Sequence, residues 1–149
     1  MTSEDVQRVR VGAVELATTT TGDPADPPVL LVAGLGAQLI SWDDGFCRAL
    51  ADRGLYVVRF DNRDAGLSTH LGESPAEPAY ALSDLAGDAA GLVDELGLGS
   101  VHVVGASMGG MIAQLVRSST RTGSAASPRS CPPPATRPWA RPARRRSPR

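Results

Sequence analysis

The sequence predicts an α/β fold, in which a mostly parallel sheet is flanked by helices. Three short, continuously apolar runs carry this prediction, because a strand buried on both faces of a parallel sheet shows no polar alternation. These runs are Val29–Ala33, Leu55–Phe60 and Val101–Val104. Helical periodicity separates each run from the next, and strands that alternate with helices favour right-handed βαβ units.

Two further strands are predicted before the first apolar run. Val6–Val11 and Val14–Thr18 are short, rich in β-branched residues and separated by Gly12, a pattern typical of an antiparallel hairpin. The segment Thr21–Pro24 then ends this region with turn-forming residues. We therefore expect the sheet to begin with an antiparallel pair.

Helical spacing predicts the connections between the apolar strands. The first helix has Gly54 as its stop, and its apolar positions are Trp42, Phe46, Ala49 and Leu50. The second has Ser83 as its expected cap and Gly97 as its stop, and its apolar face is Leu82, Leu85, Ala86, Ala89, Val93 and Leu96. A third helix, Met111–Val116, follows the last strand.

Composition divides the 149 residues into two unlike parts. Residues 1–116 hold all sixteen acidic residues and six arginines, a net charge of −10, whereas residues 117–149 hold nine arginines and no acid. The second part is also rich in proline and serine and contains no Val, Leu, Ile, Met, Phe or Tyr, so it cannot build a hydrophobic core. We expect a folded domain over 1–116 and a disordered tail over 117–149.

The remaining composition argues against a membrane span, a signal peptide, a disulfide and a metal site. No apolar run approaches the ~20 residues of a spanning helix, and the N-terminus lacks the pattern of a signal peptide, so we expect a cytoplasmic protein without a membrane partner. Cys47 and Cys131 form no Cys-x-x-Cys motif and are interpreted as free thiols. His70 and His102 have no neighbouring ligand at metal-binding spacing. Neither a metal nor a cofactor is expected.

One motif carries chemistry. Gly105-Ala106-Ser107-Met108-Gly109 fits the pattern G-x-S-x-G between a buried strand and a helix, the context of a nucleophile elbow. Its serine occupies a strained turn, and side chains at Gly105 or Gly109 would collide with the adjoining strand and helix. The alternative is a glycine-rich turn that serves packing alone. A phosphate-binding loop is disfavoured, because the chain contains no lysine.

A serine that attacks an acyl group also needs N–H donors directed at the developing oxyanion. The loop Ala33-Gly34-Leu35-Gly36-Ala37-Gln38 ends a buried strand and is rich in glycine, so it can turn such donors toward the serine. We assign the backbone N–H groups of Leu35 and Met108 as the two donors. For Leu35 an ordinary strand-to-helix turn is the alternative.

Over about residues 6–116 the chain resembles the α/β-hydrolase superfamily, and within it bacterial carboxylic-ester hydrolases of the aclacinomycin methylesterase type. The matching stretches occur in the family's order: the loop Ala33–Gln38, Trp42, the segment Phe60–Ser68 and the elbow Gly105–Gly110. The resemblance implies that Ser107 is the nucleophile, that Leu35 and Met108 form the oxyanion hole, and that the substrate is a small-molecule ester. One departure is Ala33-Gly34, where many members carry His-Gly.

A charged segment follows the strand Leu55–Phe60. Asp61, Arg63 and Asp64 are interpreted as a cluster that stabilises a turn, not as catalytic groups.

The partners of the serine are missing from the sequence. In this fold the triad runs Ser, then Asp or Glu, then His, yet no Asp, Glu or His follows Ser107, and both histidines precede it. We expect an incomplete hydrolase domain, truncated after the elbow helix, with little or no esterase activity. The strand Val101–Val104 would then lie unpaired at one edge of the sheet, which predicts aggregation.

A shifted reading frame offers an explanation for the tail. An arginine-rich, lysine-free chain suggests a GC-rich gene, and TCN serine codons read in the neighbouring frame become xTC, which encodes only Phe, Leu, Ile or Val. Ser118, Ser124, Ser127 and Ser130 would all become apolar in this way. The hypothesis is a one-base deletion near codon 117, and it requires an open frame continuing downstream in the neighbouring phase.

Two other kinds of function compete with an ester hydrolase. A non-enzymatic module could bind nucleic acid or another polyanion through its basic tail, although charge alone supports this and a nucleic-acid partner is not our expectation. Salt-dependent DNA binding that is lost on deleting residues 117–149 would favour it. Thioesterase, lactonase, peptidase or cofactor-free peroxidase activity on the same fold stays open. Epoxide and haloalkane hydrolases are disfavoured, because they use a carboxylate nucleophile.

Overall fold

The structure, a computed structural model, describes residues 6–72 and 80–119, with side chains to residue 116. Its elements in chain order are β1 (Gln7–Val11), β2 (Val14–Thr21), β3 (Pro28–Val32), α1 (Asp44–Ala51), β4 (Tyr56–Phe60), α2 (Leu82–Glu95), β5 (His102–Gly105) and α3 (Met108–Ser119). A turn of 3-10 helix over Leu39–Ser41 precedes α1. Every strand and helix that the sequence predicts is present.

The five strands form one sheet in the order β1-β2-β4-β3-β5. β1 pairs with β2, and β2 with β4, in antiparallel orientation, whereas β3 lies parallel between β4 and β5. The parallel part therefore consists of the three apolar runs, and the hairpin adds the antiparallel part. This arrangement confirms the predicted α/β class.

Helices cover both faces of the sheet. Leu30 and Val32 of β3 pack into a core with residues of α2 and α3, whereas Val29 and Leu31 face a smaller core with Cys47 of α1. Successive side chains of a strand point to opposite faces, so each residue of β3 enters one of the two cores. This is why the run shows no polar alternation.

The last strand differs from its prediction. The run Val101–Val104 was expected to be buried on both faces, but within the described part of the sheet β5 pairs with β3 alone. His102 is exposed and Val104 keeps 42% of its surface accessible. The apolar composition indicated the strand correctly, but burial also requires covering elements. The expectation of an edge strand is confirmed for these residues.

The first helix begins later than its apolar spacing indicated. Trp42 precedes α1, and the Asp43 carboxylate caps the helix by accepting from the N–H groups of Gly45 and Phe46 at 2.8 and 3.2 Å. Cys47 is fully buried, as a free thiol, while Phe46 is 43% exposed and stacks on the Trp42 ring. Phe46 was therefore wrongly placed on the core face.

The cap of the second helix also differs. Ser83 lies inside α2, and Ala81 is the N-cap residue. Its N–H donates to the Asp84 carboxylate at 2.7 Å, so a side chain in the first turn satisfies the backbone where a cap serine was expected. Gly97, with φ +63, follows the end of α2 as predicted.

The last helix extends past its predicted end. α3 begins at Met108, directly after the elbow serine, and continues to Ser119, beyond the boundary expected at residue 116. Residues 120–149, which include Cys131 and most of the predicted tail, lie outside the described residues.

Candidate functional site

Ser107 is the second of the two residues, Ala106 and Ser107, that join β5 to α3. Its φ of 55° is in the left-handed region, where a residue with a side chain is strained, and it shares this feature with Asp64 alone among the described non-glycine residues. The Ser107 residue is exposed. A strained serine at the end of a parallel strand is the backbone geometry that a nucleophile elbow requires.

The two elbow glycines allow this turn to pack tightly. A Cβ atom on Gly105 would overlap the carbonyl of Gly109, and one on Gly109 would overlap the carbonyl of Val32. The Ala106 N–H donates to the Val32 carbonyl at 3.1 Å, which ties the turn to the end of β3. Strand, turn and helix therefore approach one another too closely for any larger residue at these two positions.

The loop after β3 lies against the elbow. In it, the Ala37 N–H donates to the Gly34 carbonyl at 3.2 Å, and Gly36 has a φ of +67°, which favours glycine at the third position of a turn. A Cβ atom on Gly34 would lie 3.3 Å from the Cβ of Ser107. Leu35, the second residue of the turn, is 82% exposed.

The backbone N–H groups of Leu35 and Met108 are available as donors. In the described part of the chain neither group donates a hydrogen bond to the protein. Met108 is the first residue of α3, so its N–H is one of those that a helix leaves unpaired at its positive end. One of these free N–H groups lies in the loop after β3 and the other at the first residue of α3, and free backbone N–H groups are the donors that stabilise a negatively charged oxygen.

A cavity of about 420 Å³ opens beside Ser107. Its lining is mostly apolar, and Ser41 contributes a polar side chain besides Ser107 itself: Gly34, Leu35, Ala37, Ser41, Trp42, Ala106 and Ser107. Sequence reasoning assigned Trp42 to the helix and did not single out Ser41. Their position could have predicted that they line the cavity, since both residues closely follow the glycine-rich loop.

A second cavity of about 340 Å³ is also lined by Leu35, together with Met108, Asn62 and Tyr80. Arg63 also lines this cavity, but Asp88 neutralises its charge. The Arg63 guanidinium donates twice to the Asp88 carboxylate, at 2.6 Å each, and lies over the Tyr80 ring. This ion pair raises the pKa of Arg63 further above its usual value. Among the described residues that line this cavity, no unpaired cation is presented to an anionic ligand.

The charged segment after β4 acts as a turn, as its interpretation proposed. The buried Asp61 carboxylate accepts from the N–H groups of Leu39 and Leu67 at 2.5 and 2.9 Å, and that of Asp64 accepts from Leu71 at 2.6 Å. Arg63 differs from the interpretation, because it pairs with α2 and not with either aspartate.

Neither histidine lines the cavity beside Ser107. The His70 ring contacts the carbonyl of Gly66 at 3.1 Å, and His102 lies exposed on β5. Within residues 6–72 and 80–119 no three His, Cys, Asp or Glu side chains cluster as metal ligands. In the same residues no helix has the length and apolarity needed to cross a membrane.

Comparison with known proteins relates this arrangement to one family. Residues 27–118 match the family model described as the alpha/beta hydrolase fold. Rhodomycin D methylesterase DauP of Streptomyces sp. (strain C5) is 41% identical over 103 residues, which are 69% of this chain and 34% of that protein. The chain thus spans about a third of the length of the curated relatives it matches.

Solved structures agree with this relationship. Epoxide hydrolase A from Mycobacterium thermoresistibile aligns with a TM-score of 0.63 and 29% identity, over 72% of this chain and 32% of that one. The enol-lactonase from Burkholderia xenovorans LB400 aligns with a TM-score of 0.63 and 30% identity, over 71% and 39% of the two chains. Each alignment thus covers most of this chain and between a third and two fifths of the solved one.

Proposed function

This chain belongs to the alpha/beta hydrolase fold family, and we propose that it is the N-terminal part of a serine hydrolase that acts on carboxylic esters through an acyl-enzyme. The observation that carries the proposal is the left-handed φ of 55° at Ser107, between a parallel strand and a helix. A turn that served packing alone would not need a serine in this strained conformation between two tightly packed glycines.

In the proposed reaction the Ser107 hydroxyl oxygen attacks the ester carbonyl carbon, while a general base takes the hydroxyl proton. The carbonyl oxygen becomes an oxyanion that accepts hydrogen bonds from the N–H groups of Leu35 and Met108. Collapse of this intermediate breaks the bond to the alkoxide, which receives the proton from the general base and leaves as the alcohol, while the acyl group stays on Ser107. Water then hydrolyses the acyl-enzyme by the same steps.

Two observations favour an ester as substrate. DauP, 41% identical over the matched region, is named a methylesterase, and the oxygen at position 107 belongs to a serine. Epoxide hydrolysis, the activity named for one structural neighbour, proceeds in this fold through a carboxylate nucleophile, which position 107 does not supply. Ester chemistry is therefore the better match to the residue present.

No general base for Ser107 is identified in this sequence. No Asp, Glu or His follows Ser107 in the sequence, and His70 and His102 lie away from the serine cavity. We therefore propose that a polypeptide of these 149 residues alone leaves the serine unactivated. Any remaining rate would come from the oxyanion donors and substrate binding.

A p-nitrophenyl ester assay tests this part of the proposal. The chain and its Ser107→Ala variant are expected to release p-nitrophenol at closely similar, slow rates, because the hydroxyl lacks a base. Equal melting temperatures of the two proteins provide the control for folding. Turnover at ordinary enzyme rates that disappears in Ser107→Ala would contradict the proposed inactivity and would show that a base is present.

A further inference from the structure

The loop that carries Leu35 is fixed at both ends by two consecutive side chains. At its beginning, the Asn62 side-chain amide donates to the Ala33 carbonyl at 3.2 Å. At its end, the Leu39 N–H donates to the Asp61 carboxylate at 2.5 Å. We call the residues between these anchors, Gly34–Gln38, the oxyanion loop.

Both anchors belong to a rigid part of the molecule. Asp61 and Asn62 directly follow β4 and are 2% and 3% exposed. The Asp61 N–H donates to the Ala17 carbonyl of β2 at 2.9 Å, and its carbonyl accepts from the Ser68 hydroxyl at 2.6 Å. The two side chains thus extend from the sheet to the oxyanion loop.

The asparagine is not the residue that stability alone would favour. Its amide nitrogen faces the Ala33 carbonyl, because only the NH2 group can donate there, and this fixes Oδ1 on the opposite side. Oδ1 is buried and has no hydrogen-bond partner in the described part of the structure. An unpaired buried carbonyl lowers stability, and a leucine of similar size carries no such oxygen.

The oxyanion loop has little else to hold it. Leu35 is 82% exposed, so its side chain provides little packing, and its N–H is free of protein partners among the described residues. A donor stabilises an oxyanion only when it is held within about 2.7–3.1 Å of the place where the charge develops. The position of this N–H therefore depends on the two ends of the loop.

We propose that Asp61 and Asn62 are positioning residues, which hold the oxyanion loop so that the Leu35 N–H stays directed at the Ser107 site. This inference rests on the proposed function, which assigns Leu35 as an oxyanion donor. Neither side chain touches the substrate, since each acts through the backbone of the loop. The unpaired Asn62 oxygen lowers the stability of the fold, whereas the hydrogen bond from the Asn62 amide to Ala33 keeps the oxyanion loop in position for catalysis.

Amide hydrogen exchange of the full chain tests the proposal through two reporters. The Ala37 N–H is bonded within the oxyanion loop and the Leu39 N–H to Asp61. Asn62→Leu is expected to speed exchange at Ala37 by about five- to tenfold, the effect of losing one buried hydrogen bond. Its melting temperature should change little, because the variant removes the unpaired Oδ1 but leaves the buried Ala33 carbonyl without the Asn62 donor. Asp61→Ala, which removes the acceptor oxygen, is expected to speed exchange at Leu39 by a similar factor.

Two controls separate positioning from a general structural role. The amides of Gly109 and Gly110, bonded to the carbonyls of Ala106 and Ser107, report on the elbow and should keep their rates in both variants. Ser68→Ala removes two buried hydrogen bonds from the same turn, one of them to the Asp61 backbone carbonyl, but it leaves the side-chain bonds of both anchors to the oxyanion loop intact. It should therefore lower the melting temperature and leave the ratio of loop to elbow exchange unchanged.

The proposal is overturned if Ala37 and Leu39 keep their native rates in the anchor variants, or if the elbow amides accelerate equally. It is likewise overturned if Asn62→Leu lowers the melting temperature as Ser68→Ala does without selective release of the loop. Exchange is measured without any chemistry at Ser107. A failure of the proposed function would appear in ester assays, whereas a failure of this inference would appear in the exchange rates.

Discussion

At the scale of single residues, local pattern and long-range contact differ in how far the sequence reveals them. Ser107 and its glycines lie within five positions, so their spacing alone predicted a strained turn, and the φ of 55° agrees with that turn. The bond from Asn62 to the Ala33 carbonyl joins residues that are 29 positions apart. Such a contact leaves no local pattern, which is why the anchors of the oxyanion loop could not be predicted.

Another contact hidden from the sequence is the buried Arg59 of β4. Its guanidinium donates to the Thr19 hydroxyl, to the Trp42 carbonyl and to the Asp44 carboxylate, the last at 2.6 Å. Arg59 thereby ties the first turn of α1 to the sheet and fixes the backbone of Trp42 beside the serine cavity. The hydrogen bond from Arg59 holds the pKa of Asp44 below its usual value.

Asp44→Asn should lower stability in a pH-dependent way. A carboxyl whose pKa is depressed on folding adds stability above its unfolded pKa and loses it as the pH falls through the folded pKa. The melting temperature of the variant is therefore expected to lie below that of the native chain near neutral pH, and the two values should converge in acid.

Thermal unfolding monitored by circular dichroism over a pH series checks this prediction. Asp94→Asn is the matched control, since Asp94 lies exposed on α2 without an ion pair in the described residues. A difference between native chain and Asp44→Asn that persists undiminished into acid would rule out the ion pair as its cause.

At the scale of elements, the apolar runs and hairpin were predictable because their signals are local. Burial and helix ends were not, because they depend on neighbours. β5 has the composition of a strand buried on both faces, yet Val104 keeps 42% of its surface accessible, and Ser83 has the chemistry of a cap yet lies inside α2. The elbow is the element in which local pattern and tertiary packing agree most closely.

Substitution of the elbow glycines should therefore destabilise the domain. In Gly105→Ala and Gly109→Ala the added methyl group would overlap backbone carbonyls, which cannot move away as a flexible side chain could. We expect each change to cost about 1–3 kcal/mol or more. Urea unfolding monitored by circular dichroism measures the loss.

Gly87→Ala is the matched control for these changes. Gly87 lies within α2, and a Cβ atom there would meet nothing within 4 Å. This variant should gain about 0.5–1 kcal/mol, because alanine loses less backbone entropy than glycine in a helix. Elbow variants as stable as Gly87→Ala would show that the strand, turn and helix do not pack as described.

At the scale of the whole molecule, the region matched to known proteins corresponds to about a third of the length of its curated relatives. β5 has an open edge, and beside it a cavity of about 540 Å³ lies between α2, β5 and α3. Family and fold were predictable because strands, oxyanion loop and elbow all lie before residue 117, whereas the acid and base of a triad have no counterpart after Ser107 in this sequence.

The central claim is that Ser107 is a nucleophile that lacks its general base in this sequence. The esterase activity of a chimera tests this claim most directly. Residues 1–116 are joined to the portion of rhodomycin D methylesterase DauP that follows the matched segment, and initial rates on a p-nitrophenyl ester are compared with those of the same chimera carrying Ser107→Ala. The account predicts turnover that falls at least about a thousandfold in the variant. A folded chimera that hydrolyses the ester equally well with alanine at position 107, or not at all with serine, would contradict it.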